Sequence, residues 1–145
     1  MKALEGIKVL DLSRALAGPY CTMMLADMGA EVIKLEMPGT GDDSRSWGPP
    51  FVEGESAYFM SINRNKKSMT LNMKNEQSKE IVTKLIKQSD VLVENFRPGA
   101  MDRLGFGYVA VKEMNPGIIY SSISGFGQDG PYRMLPGFDQ VLQGM

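Results

Sequence analysis

The amino-acid sequence predicts an α/β fold built on a mostly parallel sheet. Three observations favour this class. Short runs rich in Val, Ile and Leu, which are typical of buried strands, recur along the chain. Segments with helical spacing of apolar residues separate these runs, as they do in α/β proteins. The first strand, helix and second strand fit within residues 7–36, which is the compact spacing of a parallel βαβ crossover.

The first half of the chain provides two strands, one helix and a long loop. Residues 7–12 and 31–36 are the two predicted strands. Pro19 suits the first turn of the helix between them, and Gly29 suits its C-cap. Residues 37–50 are rich in Gly, Pro, Asp and Ser. This composition predicts a long surface loop, and long loops in compact domains tend to be functional.

The second half of the chain repeats the alternation of strands and helices. Residues 68–73 alternate polar and apolar side chains, which predicts a strand. Asn75 is a good N-cap for a helix with one apolar face. That predicted face carries Ile81, Val82, Leu85 and Ile86. The remaining predicted elements are short helices over residues 56–62, 108–114 and 138–143, and strands over residues 91–95 and 118–124.

Composition excludes several classes of function. The 145 residues contain 16 Lys and Arg against 17 Asp and Glu, so there is no basic excess for general nucleic-acid binding. No apolar run is long enough to span a bilayer, and the N-terminus lacks a signal-peptide layout, so we expect no membrane association. The single cysteine, Cys21, fits a reducing cytoplasm. The chain has no histidine and no metal-ligand spacing, so we expect no metal site.

The clearest functional signal is the segment over residues 94–105. It follows the apolar run over residues 91–93, so its polar groups are delivered to the edge of the sheet, where ligands of open α/β sheets bind. Arg97 and Arg103 bring two permanent positive charges to this edge, and guanidinium groups suit phosphate oxygens. The sequence therefore predicts a site for a phosphate-bearing ligand.

A dinucleotide site is disfavoured. A Gly-x-Gly-x-x-Gly turn is needed between the first strand and helix, but residues 13–18 contain only Gly18. Glu36 ends the second strand, where a ribose-binding acid would be expected. An ordinary exposed carboxylate at the end of a strand is the favoured interpretation of Glu36. A nicotinamide-dependent reductase is therefore a weak alternative.

Two further segments allow more than one interpretation. The cations in residues 63–68 form a positive patch that is favoured as solvated surface. They could instead face an anionic ligand or pair with acids of the long loop such as Asp42 and Asp43. Residues 124–131 form a turn-rich loop at the same sheet edge as Asn95. This loop is either an ordinary connection or a source of backbone N–H donors for a carboxylate or thioester oxygen.

The ordered set of segments closely resembles one family, the class III CoA-transferases, also called the CaiB/BaiF family. The segments that carry the resemblance are residues 6–14, 16–19, 25–36, 63–68, 94–105, 122–127, 130–132 and 136–139. The resemblance implies a Rossmann-like, mostly parallel sheet with helices on both faces, in an interlocked homodimer. It also implies transfer of coenzyme A from an acyl-CoA donor to a carboxylic acid acceptor through an aspartyl covalent intermediate.

The resemblance also implies that residues 1–145 are the N-terminal, CoA-binding part of the large domain. The small domain and the C-terminal return would then lie outside this chain. In the family, the nucleophilic aspartate follows the Pro-Gly-Phe-Asp element, and Asp139 within that element does not match it. We therefore expect no catalytic residue in this chain, and no activity from these residues alone. A stand-alone, non-catalytic module that binds a nucleotide or CoA is the alternative.

The resemblance assigns a set of residues to coenzyme A. These residues are Leu16, Ala17, Leu71, Asn72, Met73, Lys74, Asn95, Phe96, Arg97 and Arg103. The three cations of the set, Lys74, Arg97 and Arg103, would contact phosphates. Leu71 and Phe96 would pack against the nucleotide or the pantetheine.

Departures from two branches of the family narrow the function. The formyl-CoA transferase branch has glutamine at the position of Leu16 and arginine at the position of Met37, which argues against formyl-CoA/oxalate specificity. The racemase branch has histidine at the position of Phe138. Because Phe138 cannot abstract a proton, the sequence favours a transferase over a racemase.

Overall fold

The computed structural model describes residues 2–145, in which strands and helices alternate. The first half contains β1 (Lys8–Asp11), α1 (Ala17–Asp27), β2 (Glu31–Glu36), a 3-10 helix (Asp43–Ser46), β3 (Phe51–Val52), β4 (Glu55–Ser56) and α2 (Ala57–Asn63). The second half contains β5 (Lys66–Thr70), α3 (Glu76–Gln88), β6 (Val91–Glu94), α4 (Ala100–Leu104), α5 (Tyr108–Met114), β7 (Ile119–Ser122) and α6 (Asp139–Gln143). Within residues 2–145, no helix is long and apolar enough to cross a membrane.

Five strands form one parallel sheet in the order β5-β2-β1-β6-β7. Leu10 of β1 lies between Ile33 of β2 and Leu92 of β6. From β1 the chain moves to one side of the sheet for β2 and β5, and it then crosses to the other side for β6 and β7. The order in which strands are added to the sheet therefore reverses between β1 and β6. At such a switch point, parallel sheets open a ligand crevice at their carboxyl edge. The predicted α/β fold with a mostly parallel sheet is confirmed.

Helices cover both faces of this sheet, because successive strand residues point to opposite sides. The core on one face joins strand residues to α3 and α5 and includes Leu10, Leu92, Val82, Ile86 and Val111. The core on the other face joins strand residues to α1 and includes Val9, Val32, Val93 and Ala26. The predicted arrangement of helices on both faces is therefore confirmed.

Local signals in the sequence place the helix ends. The Asn75 side chain accepts a hydrogen bond from the N–H of Gln77 at 2.9 Å and caps α3, as predicted. Gly29 follows α1 with φ of +107°, a conformation that favours glycine. Asn115 ends α5 and donates to the carbonyls of Ile86 and Ser89 at 2.9 and 2.8 Å. This side chain ties α5 to the C-terminal end of α3.

The strand β5 begins two residues earlier than the sequence predicts. The sequence favours residues 68–73, whereas β5 spans Lys66–Thr70 and pairs with β2 alone. It is an edge strand, so most of its side chains are exposed and alternation along it carries little information. Met73, by contrast, is buried in the core, and the polar–apolar pattern extended the predicted strand to include it.

Two parts of the fold gave no clear sequence signal. Residues 37–50, predicted as one loop, contain the 3-10 helix, and a small antiparallel hairpin of β3 and β4 follows them. The segment over residues 94–105 contains the short helix α4, flanked by Gly99 and Gly105 with positive φ. Such short elements depend on packing and capping rather than on periodicity.

One residue of the predicted apolar face of α3 is not buried. Val82 and Ile86 are fully buried, but Ile81 is 40% exposed. Residue 81 directly precedes residue 82, so the helical turn of 100° per residue moves its side chain away from the sheet. The buried stripe of α3 is therefore narrower than predicted.

Replacing Ile86 with alanine should lower the free energy of unfolding by about 2–5 kcal/mol, because the deletion leaves a cavity in a packed core. Ile81→Ala is the matched control on the same helix and should cost less than about 1 kcal/mol. Urea denaturation of both variants measures the difference. Equal losses would show that the assigned face of α3 is wrong.

Candidate functional site

The predicted site residues follow the carboxyl ends of three parallel strands. β1 ends at Asp11, β5 at Thr70 and β6 at Glu94. The segments over residues 12–17, 71–74 and 95–103 therefore leave the same edge of the sheet. This edge includes the switch point between β1 and β6, where a ligand would be expected.

Asn95 joins the loops that follow β1 and β6. Its Oδ1 accepts from the N–H of Arg14, and its Nδ2 donates to the carbonyl of Arg14, both at 2.8 Å. The guanidinium of Arg14 lies 5.3 Å from the ring centre of Phe96. The Asn95 amide thus binds both backbone polar groups of Arg14, so Asn95 shapes the site through the backbone of Arg14.

The backbone on either side of Arg14 is held by other side chains. Asp11 accepts from the N–H of Ser13 at 2.9 Å, and Lys34 donates to the carbonyl of Ser13 at 2.7 Å. Asp42 accepts from the N–H of Ala15 at 3.2 Å. Ala15 has φ of +62°, which is uncommon for a residue with a Cβ. We call residues 13–15 the first loop, and side chains from outside it fix its conformation.

Two ion pairs beneath this edge are almost completely buried. Lys66 lies 3.1 Å from Asp11, and Lys34 lies 2.8 Å from Asp42. None of these four side chains is more than 2% exposed. Thr22 of α1 also donates to Asp11 at 2.6 Å. The buried charges are thus paired and hydrogen-bonded, as their desolvation requires.

The positive patch over residues 63–68 is not simply solvated surface. Lys66 pairs with buried Asp11, while Arg64 and Lys67 form surface pairs with Asp27 and Glu31. Pairing with the long loop is not found either, because Asp42 pairs with Lys34 and no ion pair is seen for Asp43 in the described chain. The acids that neutralise the patch come from β1, β2 and α1.

The interpretation of Glu36 as an exposed carboxylate is wrong. Glu36 is buried and accepts hydrogen bonds from Arg45, from Ser68 and from the N–H of Asp42. Burial alone would raise the pKa of Glu36, but these hydrogen bonds outweigh it and lower the pKa to about 2. The same balance, with donors from Lys34 and Ser44, lowers the pKa of Asp42. The carboxylate of Glu36 is therefore unavailable to a ribose.

A cavity of about 250 Å³ opens at the switch point. Four of the predicted residues line it together: Ala17, Asn95, Phe96 and Arg97. The opposite wall comes from residues 123–125 and from residues 133–142. Gly125 and Gly137 touch through their main chains, so that a Cβ on either would overlap the other. The turn-rich loop after β7 therefore contributes directly to this cavity.

The charge of the cavity is positive. Arg97 and Arg133 line it, no acidic side chain does, and neither arginine forms an ion pair anywhere in residues 2–145. Arg97 also lines a neighbouring cavity of about 390 Å³ next to Glu94, Tyr108 and Tyr120. Unpaired guanidinium groups in a concave site favour an anionic ligand.

The other predicted residues do not line the 250 Å³ cavity. Leu16 is half exposed just before α1. Leu71 packs against the core and Met73 is buried in it, so the side chain of Met73 is not free for a ligand. Asn72 accepts from the N–H of Lys74 at 3.1 Å, and Lys74 is exposed. Arg103 is exposed, with its guanidinium next to Gly99.

Sequence reasoning missed the residues that support the site. Lys34 stands between Ile33 and Leu35 in a buried strand, and a lysine at such a position requires a buried acid. That signal could have identified Lys34, although not its partner Asp42. Arg133 gave no signal, because only the fold brings it to the cavity. No group of three or more potential metal ligands occurs in the part of the chain that the structure describes.

The fold and this cationic edge define an α/β protein with a site suited to a phosphate-bearing ligand. The chain belongs to CoA-transferase family III, whose family model matches residues 4–145. It is 53% identical over 145 residues to succinyl-CoA:glutarate CoA-transferase of Mus musculus, a match that covers 100% of this chain and 33% of that protein. It is 51% identical over 144 residues to formyl-CoA:oxalate CoA-transferase of Streptomyces avermitilis, covering 99% of this chain and 35% of that protein.

A solved structure supports the same family. The crystal structure of a CaiB/BaiF family protein from Brucella suis matches with a TM-score of 0.94 at 47% identity, covering 99% of this chain and 39% of that one. The resemblance inferred from the sequence is confirmed. The chain spans about a third of the length of the curated relatives given above.

Replacing Glu36 with glutamine should flatten the acid dependence of stability between about pH 4.5 and pH 2. The folded pKa of Glu36, about 2, lies below its ordinary value of 4.5. The ionised group therefore stabilises the fold above pH 4.5, and this contribution is lost as the pH falls toward 2. The melting temperature, measured across this range for wild type and variant, tests the assignment.

Glu31→Gln is the matched control for Glu36→Gln. Glu31 lies on the same strand and pairs with Lys67, but both side chains are exposed, so its loss should change the profile little. Parallel profiles for wild type and Glu36→Gln would contradict the proposed role of Glu36.

Proposed function

We propose that this chain is the N-terminal, CoA-binding part of the large domain of a CoA-transferase. The whole protein would transfer coenzyme A from an acyl-CoA donor to a carboxylic acid. The observation that carries the proposal is the positive cavity at the switch point of a chain that belongs to CoA-transferase family III. The relatives from Mus musculus and Streptomyces avermitilis support it, since both are named as CoA-transferases.

In the proposed reaction, an aspartate attacks the thioester carbonyl and expels the CoA thiolate, which gives a mixed anhydride. The thiolate then attacks the aspartyl carbonyl, giving an aspartyl-CoA thioester and releasing the donor acid. The acceptor acid displaces the thiolate in turn to form a second anhydride, and thiolate attack on its acyl carbonyl yields the new acyl-CoA and restores the aspartate. We propose that this aspartate lies outside residues 1–145. Asp139, which accepts from the side chain of Gln143 at 2.8 Å, is not assigned to this role.

The residues of this chain would bind and orient the CoA. Arg97, Arg103 and Lys74 supply positive charge for the phosphates. Phe96 and the apolar wall of the cavity suit the pantetheine arm. The backbone N–H groups of the loop that contains Gly125 are the proposed donors for the developing oxyanions. These roles come from the family resemblance, and the positions of the residues after β5, β6 and β7 support them.

We propose a dicarboxylic acid as the acceptor, because the two relatives are named for transfer involving glutarate and oxalate. Leu16 and Met37 stand where the formyl-CoA transferase branch has glutamine and arginine, so we favour a longer diacid than oxalate. A racemase is disfavoured, because the chain has no histidine and Phe138 occupies the relevant position. We also propose a homodimer, as the family resemblance implies, and a cytoplasmic location, for which the single cysteine is the sequence argument.

Replacing Arg103 with alanine in the full-length protein should weaken CoA binding by at least about tenfold, because a charge-assisted contact to phosphate is lost. Arg64→Ala is the matched control. Arg64 is an exposed arginine that precedes β5 at the opposite edge of the sheet. Isothermal titration with CoA measures both variants. Unchanged affinity in Arg103→Ala would contradict the assigned phosphate site.

Three further measurements separate the alternatives. Transfer from succinyl-CoA to glutarate by the full-length protein tests the enzyme against a non-catalytic binding module. The mass of the purified natural gene product tests whether residues 1–145 are part of a longer polypeptide. A thermal shift with NADH but none with CoA would contradict the proposal and favour a nicotinamide site.

A further inference from the structure

We propose that Lys34 and Asp42 are positioning residues that fix the first loop, residues 13–15, for CoA binding. This inference rests on the proposed function, because the first loop leads directly to Leu16 and Ala17 of the assigned CoA site. Neither residue would touch the CoA. Their effect would be transmitted through the backbone of the loop.

The two side chains bind the loop at both ends. Lys34 Nζ donates to the carbonyl of Ser13 at 2.7 Å, and Asp42 Oδ1 accepts from the N–H of Ala15 at 3.2 Å. Lys34 Nζ and Asp42 Oδ2 lie 2.8 Å apart, which joins the two anchors into one unit. Asp42 Oδ2 accepts no hydrogen bond within residues 2–145, and its ion pair is with Lys34. Lys34 therefore neutralises the carboxylate that holds Ala15, while Ser44 donates two hydrogen bonds to its other oxygen, Oδ1.

The loop needs external support because its conformation is unfavourable. Ala15 has φ of +62°, and an alanine in this region persists only when its surroundings impose it. Arg14, between the two anchored residues, is held from the opposite side by Asn95. The backbone polar groups from Ser13 to the N–H of Ala15 are thus matched by side chains of other segments. The loop conformation depends on these partners rather than on its own hydrogen bonds.

Stability alone does not account for this pair. A buried ion pair usually gives little net stability over apolar side chains of similar size. Here Lys34 reaches the carbonyl of Ser13 as well as its counterion, and Ser44 orients Asp42 by two hydrogen bonds to Oδ1. Ala17, two residues beyond Ala15, lines the cavity with Phe96 and Arg97. Displacement of the first loop would therefore move one wall of the proposed CoA site.

Two double variants of the full-length protein separate positioning from burial. In Lys34→Met/Asp42→Leu both charges and the acceptor for Ala15 are removed. In Lys34→Met/Asp42→Asn the charges are removed, but an amide oxygen remains to accept from the N–H of Ala15. Both double variants lose the Lys34 donor to the carbonyl of Ser13, and only the second keeps an acceptor for the N–H of Ala15. By isothermal titration, we expect the first to weaken CoA binding by at least about tenfold and the second to weaken it by no more than about threefold.

The same variants should also differ in their steady-state kinetics. In the first double variant the KM for acyl-CoA should rise by a larger factor than kcat falls, because the CoA site is misplaced. The control is Lys67→Gln/Glu31→Gln, which removes an exposed ion pair between β5 and β2, away from the first loop. This control should bind CoA like wild type.

Several results would overturn the inference. A folded Lys34→Met/Asp42→Leu protein with wild-type CoA affinity would show that the pair does not position the CoA site. Equal losses of CoA affinity in the two double variants would show that the acceptor for the Ala15 N–H does not position it. If the first variant does not fold, amide hydrogen exchange of the wild-type protein tests whether Asp42 anchors Ala15. The Ala15 N–H should be protected, and rapid exchange of it in the folded protein would contradict the anchoring by Asp42. Failure of the wild type to bind CoA would instead disprove the proposed function.

Discussion

The carboxylate of Asp11 is the interaction on which the arrangement of the edge depends. It lies at the end of β1, fully buried, and accepts hydrogen bonds from the backbone and hydroxyl of Ser13, from Thr22 of α1 and from Lys66 of β5. A buried charge of this kind is tolerated only when its oxygens are satisfied. Because the donors come from three segments, satisfying Asp11 fixes the turn after β1, the start of α1 and the edge strand relative to one another.

The polar groups beneath the sheet edge form a connected set rather than isolated pairs. Lys66 also donates to the carbonyl of Pro19, and the backbone N–H of Asp42 donates to Glu36. Glu36 in turn binds Arg45, whose guanidinium lies 3.7 Å from the ring centre of Phe59 in α2. The long loop over residues 37–50 is thereby attached to the same framework as the first loop. Buried charged side chains, among them Asp11, Lys34 and Glu36, thus hold the segments that form the edge of the sheet at the cavity.

Much of the fold follows from the sequence, because strands buried on both faces are rich in Val, Ile and Leu and helices have identifiable caps. Asn75 and Gly29 placed helix ends, and residues 94–105 were correctly assigned to the sheet edge. The limits also have physical causes. β5 is an edge strand, so its alternation does not define its bounds. Glu36 and Lys66 look like surface charges in the sequence, and only three-dimensional contacts reveal that each has buried partners.

The contact between Gly125 and Gly137 has a consequence for how this cavity could be reshaped. Since the two main chains touch, a side chain on either glycine could only increase their separation. A Cβ at either position would push the two segments apart and open this wall of the cavity. Redesign of the cavity would therefore have to work through other residues of the same wall, such as Leu135 and Leu142.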